Sequence, residues 1–438
     1  MNITVAGTGY VGLVAGLCFA EIGHTVTCVD IDKNRIDKLK EGISPIFEKD
    51  VEHLMQKNYA NGNITYTCDY KEAYSNSDVI FIGVGTPPSL DGSANLDSVT
   101  CVAKQIGESL KTDCLIVIKS TVPVGTNDMI EEIIKSALTC NVRVEVASNP
   151  EFLSQGSAVH DMFYPSRVIL GCDSEEAREV LRKIYEPFNC PILMVSKRSA
   201  EMIKYASNNI LALKISYMNE IANLCELVGA DIEEVAKGMS YDERIGKDYL
   251  EAGVGYGGSC FPKDTIALTA LANDNGVIIK TIEAAIDVNN NQKLVLFNKA
   301  IENGVNFKGL NVAILGLTFK PGTDDVRESP AMVNVIKMLE KGAIIKAYDP
   351  VGINNFSKEL ERRKGLSRLC SITYYTDVIS AIKDTDICFI FTKWHEIIEL
   401  SPMVYRREMK KTVIYDGRNI YDKEYMKQNN IEYISIGR

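Results

Sequence analysis

Asn2-Ile3-Thr4-Val5-Ala6-Gly7-Thr8-Gly9-Tyr10-Val11-Gly12 runs from a short apolar strand into a glycine turn and on into a helix. Residues 2–6 are strand-like, residues 11–22 follow a helical apolar pattern, and Thr25–Val29 is a second β-branched strand. These pieces make a βαβ unit whose turn has the Gly-x-Gly-x-x-Gly spacing. Asp30 closes the second strand 18 positions after Gly12. In that context the glycines permit a tight turn and close approach to a pyrophosphate, and the helix N-terminus favours its charge. Asp30 is placed to accept from ribose hydroxyls and would repel a 2'-phosphate, so NAD is expected rather than NADP. The alternative is a merely structural turn.

Further along, strands are expected at Val79–Val84, Leu115–Lys119, Val144–Ala147 and Val168–Gly171, alternating with helical segments as in a doubly wound parallel sheet. From Ser199 to Val228 the chain reads as one long helix without Pro or Gly. A second helical stretch, Leu268 to about Phe297, is interrupted near Gly276. At Leu310 the α/β alternation resumes, with strands at Leu310–Leu315, Ile344–Ala347, Ile387–Phe391 and Val413–Asp416 and a helix at Ala331–Glu340. The expected fold class is α/β, with two Rossmann-like doubly wound parallel-sheet domains joined by a long-helix central domain. The expected boundaries are 1–196, 197–300 and 301–438.

The 438 residues carry a formal charge of -10, with 46% hydrophobic and 24% charged residues, which fits an ordinary globular protein. That charge argues against nucleic acid as a partner. No run approaches the roughly 18 apolar residues of a membrane span, and Met1-Asn2-Ile3-Thr4-Val5 enters a strand directly, so a cytoplasmic protein is expected. The twelve cysteines are scattered, which favours thiols over disulfides. The four histidines, at 24, 53, 160 and 395, have no metal-ligand spacing, so no metal is expected.

Cys260 lies in Gly253-Val254-Gly255-Tyr256-Gly257-Gly258-Ser259-Cys260-Phe261-Pro262-Lys263-Asp264, where four glycines in six positions let backbone approach a ligand. Lys263 and Asp264 set a cation and a carboxylate beside a thiol that reacts as its thiolate. Gly85-Thr86-Pro87 and Ser120-Thr121-Val122-Pro123 each follow a strand and serve either as ligand loops or as strand-end punctuation. Lys204 and Asn208, four apart on the long helix, face one volume, as oxyanion donors or as a wet helical face. Gly316-Leu317-Thr318-Phe319-Lys320-Pro321-Gly322, followed by Thr323 to Arg327, is a second glycine turn. Spacing leaves Arg327 to bind phosphate or to pair with Asp324 or Asp325.

With these motifs in order, joined by Asn149-Pro150-Glu151-Phe152-Leu153 and Asp242-Glu243-Arg244-Ile245-Gly246, the sequence resembles the nucleotide-sugar 6-dehydrogenases over essentially its whole length. This is the UDP-glucose/GDP-mannose dehydrogenase family. The resemblance implies removal of two hydrides from carbon 6 of the sugar, with NAD as cofactor and a thiohemiacetal, then a thioester, on Cys260. It assigns oxyanion stabilisation to Lys204 and Asn208, proton handling through water to Asp264 and Thr121, and assistance in hydrolysis to Glu151.

On the cofactor side the resemblance places Gly7, Gly9, Tyr10, Val11, Gly12, Asp30, Arg35, Gly85, Thr86, Pro87, Ser120, Thr121, Lys263 and Arg327. On the substrate side it places Glu151, Phe152, Leu153, Lys204, Asn208, Tyr249, Leu250, Gly257, Phe319 and Lys320, with Arg244 reaching a neighbouring subunit of a homodimer. UDP-glucose is the implied substrate. The alternatives are the same chemistry on GDP-mannose or a UDP-N-acetylhexosamine, and a non-catalytic nucleotide-binding regulator. Gln155 stands where the family often has a second Glu, which puts one proton-relay role in doubt.

Overall fold

The computed structural model describes residues 1–363 and 371–438, and the chain divides into two compact units, Met1–Ser207 and Asn208–Arg438. Among the described residues the first unit holds an eight-stranded sheet. Its strands are β1 (Asn2–Ala6), β2 (Thr25–Val29), β3 (Ile64–Thr67), β4 (Val79–Ile82), β5 (Cys114–Ile118), β6 (Val144–Ser148), β7 (Val168–Gly171) and β8 (Ile192–Val195), in the order β3-β2-β1-β4-β5-β6-β7-β8. All neighbours pair in parallel except β6 and β7, which meet antiparallel at Ser148 and Gly171.

Successive residues of β4 point to opposite faces. Val79 and Phe81 join the core under the Tyr10–Glu21 helix, while Ile80 and Ile82 join the core under the Asp97–Ser109 and Thr126–Ala137 helices. Each such side chain contributes about 1.5–3 kcal/mol by leaving water. Strand order reverses between β1 and β4, so the Gly7–Gly12 and Gly85–Pro87 loops both fall at the carboxyl edge beside that reversal.

The second unit contains β9 (Asn311–Leu315), β10 (Ile344–Tyr348), β11 (Ile372–Tyr375), β12 (Ile387–Ile390), β13 (Val413–Asp416) and β14 (Glu432–Ile434), ordered β11-β10-β9-β12-β13-β14 and parallel throughout. The first six strands of the other sheet have the same relative order, so the two sheets are one topology used twice. The Lys197–Val228 helix begins in the first unit and continues into the second, where Met218, Ala222 and Cys225 share a core with β9 and β12. The second helical stretch starts earlier than its apolar pattern indicates, at Phe261, and breaks into Phe261–Asp274, Lys280–Gln292 and Val295–Glu302. The break after Asp274 falls at Gly276, whose φ is +71°. Among the described residues no helix is long and apolar enough to cross a membrane.

Candidate active site

In the first unit the glycine turn is closed by contact. A Cβ on Gly12 would stand 2.0 Å from the Gly7 carbonyl oxygen, whereas one on Gly9 would meet no atom within 4 Å. Backbone therefore packs tightly on one side of the turn and lies open at Gly9. Thr8 donates from its N–H and its hydroxyl to Asp30 Oδ2 at 2.9 and 2.8 Å, and Arg35 Nη1 reaches the same oxygen at 3.2 Å. Burial pushes the Asp30 carboxyl up, but the N–H groups of Asp32 and Thr8, the Thr8 hydroxyl and the Arg35 charge outweigh it and hold it below its ordinary range.

The second unit repeats this turn and differs in a telling way. Gly316 N–H donates to Tyr348 as Gly7 N–H does to Val29, and Thr318 donates twice to Asp349 Oδ2 at 3.1 Å. Asp349 also accepts from the N–H groups of Leu317, Val351 and Gly352 and from the Trp394 indole at 3.0 Å, and it is fully buried. Its acceptor capacity is spent internally. Asp30 is only partly buried and its Oδ1 takes the Asp32 N–H, so the first turn is the one whose residues fit a dinucleotide.

The loops after β4 and β5 are tied together. Thr86 Oγ1 donates to the Thr121 carbonyl at 2.8 Å, and Ser120 Oγ donates to the Val84 carbonyl at 2.6 Å. Beyond β6, Glu151 is 6% exposed and pairs with Lys204, 3% exposed, at 3.0 Å. Burial alone would raise the Glu151 carboxyl. The Lys204 ammonium, the Leu153 N–H at 2.6 Å and the Lys119 charge overcome this and lower it. The Phe152 ring carries the Arg167 guanidinium at 4.0 Å and the Lys204 ammonium at 5.3 Å.

In the second unit Cys260 is the N-cap of the Phe261–Asp274 helix and is partly exposed, with the Ser259 hydroxyl 3.8 Å from its sulfur. Asp264, one turn into that helix and fully buried, accepts from Asn208 Nδ2 at 2.6 Å and from Lys263 Nζ at 2.5 Å. The loop before Cys260 is held by buried amides. Asn219 accepts from Gly253 N–H at 2.8 Å and Gln292 donates to its carbonyl at 2.7 Å, while Asn289 bonds both the N–H and the carbonyl of Tyr256, at 2.7 and 3.1 Å. Gly257 runs against the second glycine turn so closely that a Cβ would lie 2.4 Å from the Glu328 carbonyl oxygen.

Phe319 packs on Gly258, and the Lys320 ammonium lies 5.7 Å from the Phe319 ring. Tyr249, at φ +64°, has its ring 6.0 Å from Phe261, while Leu250 spends its side chain on the core. Arg327 makes the intramolecular pair, bidentate to Asp325 at 2.9 and 2.6 Å. Arg244, its side chain 89% exposed, is bonded to its neighbour Asp242 and joins none of these groups. Pattern reading missed Arg167 and the three clamping amides, because a lone polar residue on a helix or before a strand has no local signature. Lys119 closes a wholly apolar strand in a central position, and that was its only signal.

The sequence matches three successive family descriptions. Residues 1–189 match the NAD binding domain of the UDP-glucose/GDP-mannose dehydrogenase family, residues 198–291 its central domain and residues 313–423 its UDP binding domain. The chain belongs to this family and is an NAD-dependent oxidoreductase. It is 46% identical to UDP-glucose 6-dehydrogenase YwqF of Bacillus subtilis over 100% of this chain and 98% of that protein. It is 44% identical to the UDP-glucose 6-dehydrogenase of Rhizobium meliloti over the full length of both. The solved UDP-glucose dehydrogenase of the archaeon Pyrobaculum islandicum superposes with a TM-score of 0.90 at 34% identity, over 99% of this chain and 96% of that one.

Proposed function

We propose that the chain oxidises UDP-glucose to UDP-glucuronate through a covalent intermediate on Cys260. The observation that carries this reading is a thiol at a helix N-terminus whose own first turn supplies a buried carboxylate, Asp264, held by Asn208 at 2.6 Å. Residues 1–196 hold NAD, 197–300 supply the catalytic helix and loop, and 301–438 hold the UDP-sugar. Gly7, Gly9, Tyr10, Val11 and Gly12, with Asp30, Arg35, the two tied loops, Lys263 and Arg327, form the cofactor side. NAD, when bound, supplies the acceptor for two hydrides.

Oxidation of the 6-hydroxyl leaves an aldehyde, and its proton passes through water to Asp264 with Thr121. The Cys260 thiolate, favoured by the helix N-terminus, adds to the aldehyde carbon, forming a C–S bond and an oxyanion. Lys204 and Asn208 stabilise that oxyanion. Loss of the second hydride collapses the thiohemiacetal to a thioester. Water activated by Glu151 then breaks the C–S bond and releases the carboxylate and the thiol. One UDP-glucose, two NAD and one water become UDP-glucuronate, two NADH and three protons.

Phe152, Leu153, Tyr249, the backbone of Leu250, Gly257, Phe319 and Lys320 line the sugar nucleotide. Arg244 serves a second copy in a homodimer. Ile210, Tyr217 and Leu224, exposed at seven-residue spacing on the long helix, support that assembly, and Leu224→Lys should shift the chain to half its mass in size-exclusion chromatography. The thiol state of the described cysteines supports a reducing, cytoplasmic setting. A panel of nucleotide sugars tests the substrate. NADH from UDP-glucose, and little from GDP-mannose or UDP-N-acetylhexosamines, is the expected result, and preference for either of the others would overturn it.

A further inference from the structure

Lys119 follows Ile118, the last residue of β5, and stands directly before Ser120 and Thr121, and only 3% of it is exposed. Its ammonium donates to Asn149 Oδ1 at 3.0 Å and to the Tyr185 hydroxyl at 3.4 Å. Both acceptors are neutral, and no carboxylate lies within ion-pair distance of it among the described residues. Asn149 opens the segment that carries Glu151, and its own Nδ2 is anchored on the Ile169 carbonyl at 3.0 Å. The charge therefore sits behind two loops of the proposed site at once.

The titratable and charged groups facing it are Glu151 from the loop after β6, Lys204 from the long helix, Cys18 from the Tyr10–Glu21 helix and Tyr185 from the Glu175–Tyr185 helix. Two buried cations thus act on one buried carboxylate, Lys204 in contact at 3.0 Å and Lys119 from beyond ion-pair distance. A buried ammonium without a carboxylate partner is costly, and a purely structural site would be served as well by a neutral side chain.

We propose that Lys119 is a positioning residue of the reaction: its buried ammonium holds Glu151 ionised and lets Lys204 pair with Glu151 while a net positive charge remains for the oxyanion. This rests on the functional reading above. Burial brings the Lys119 ammonium down to about 8, with Glu151 opposing the fall and Lys204 adding to it. Its charge is accordingly lost at the alkaline edge of the working range.

The test is NADH formation from UDP-glucose by the full chain between about pH 5.5 and 9.5, with kcat and KM separated and Tm measured, for the unmodified chain, Lys119→Met and Tyr185→Phe. In Lys119→Met, kcat falls by roughly tenfold or more with KM little changed, and the acid limb moves to higher pH as Glu151 loses a cation. Tm is unchanged or higher, since Tyr185 still donates to Asn149. Tyr185→Phe keeps the charge but removes one of its acceptors, so its alkaline limb moves to lower pH. A Lys119→Met profile superimposable on the unmodified one overturns the inference alone. So does loss of activity that tracks a fall in Tm. If Lys119→Met does not fold, an unmoved alkaline limb in Tyr185→Phe overturns it. No turnover by the unmodified chain overturns the functional reading and the inference together.

Discussion

Glu151 lies where burial favours the uncharged acid, yet Lys204, the Leu153 N–H and Lys119 hold it ionised. Its lowered value means that it contributes stability above the ordinary glutamate range, lost as pH falls through the lowered value. In the proposed role of hydrolytic base it would stay competent over the same interval. Glu151→Gln keeps the shape and removes the base, so hydrolysis should slow by about a hundredfold or more while thioester on Cys260 accumulates. Mass spectrometry of the quenched protein would detect the adduct, and a quenched variant carrying none at normal turnover would contradict the role. Lys119 has the opposite linkage: its buried charge costs stability below about pH 8, and that cost is relieved as pH rises from there toward the unfolded lysine value. The residue types at this site are legible in the chain, but their partners are not. Helical spacing puts Lys204 and Asn208 on one face, and nothing local says that Glu151 meets the first or Asp264 the second.

The four strands absent from the pattern reading, β3, β8, β11 and β14, are the edges of the two sheets. The central strands β4, β5 and β12 are buried at every residue and read as unbroken apolar runs. Edge strands here are three or four residues long and partly exposed, as in Ile-Leu-Met-Val of β8, so their signal is weak. The antiparallel meeting of β6 and β7 is likewise invisible in composition, because a single pair defines it. The Cys260 loop is positioned by side chains from the Lys197–Val228 and Lys280–Gln292 helices rather than by strand pairing. Asn289→Ala would leave the Tyr256 N–H and carbonyl buried without partners, at about 2–4 kcal/mol. Thermal unfolding should fall by several degrees and kcat should fall with it, because the loop that presents Cys260 loses its fixed path. A variant with normal Tm and normal kcat would show that the clamp is dispensable.

At the scale of the whole chain, one α/β topology is used twice, and the two copies differ in what their acidic residue is free to do. Asp30 keeps a partly open carboxylate, whereas Asp349 is sealed by six donors that include Trp394. That division of labour suits one NAD site and one differently built nucleotide site. Both α/β regions are legible from their glycine turns and central strands, while the sealing of Asp349 depends on a tryptophan in a remote loop that no motif announces. If one thiol serves a four-electron oxidation, the NADH released per UDP-glucose consumed, measured for the unmodified chain and Cys260→Ala, is fixed by it. Two NADH per sugar are expected, with none from the variant. One NADH per sugar, or two NADH from a chain without Cys260, would contradict it.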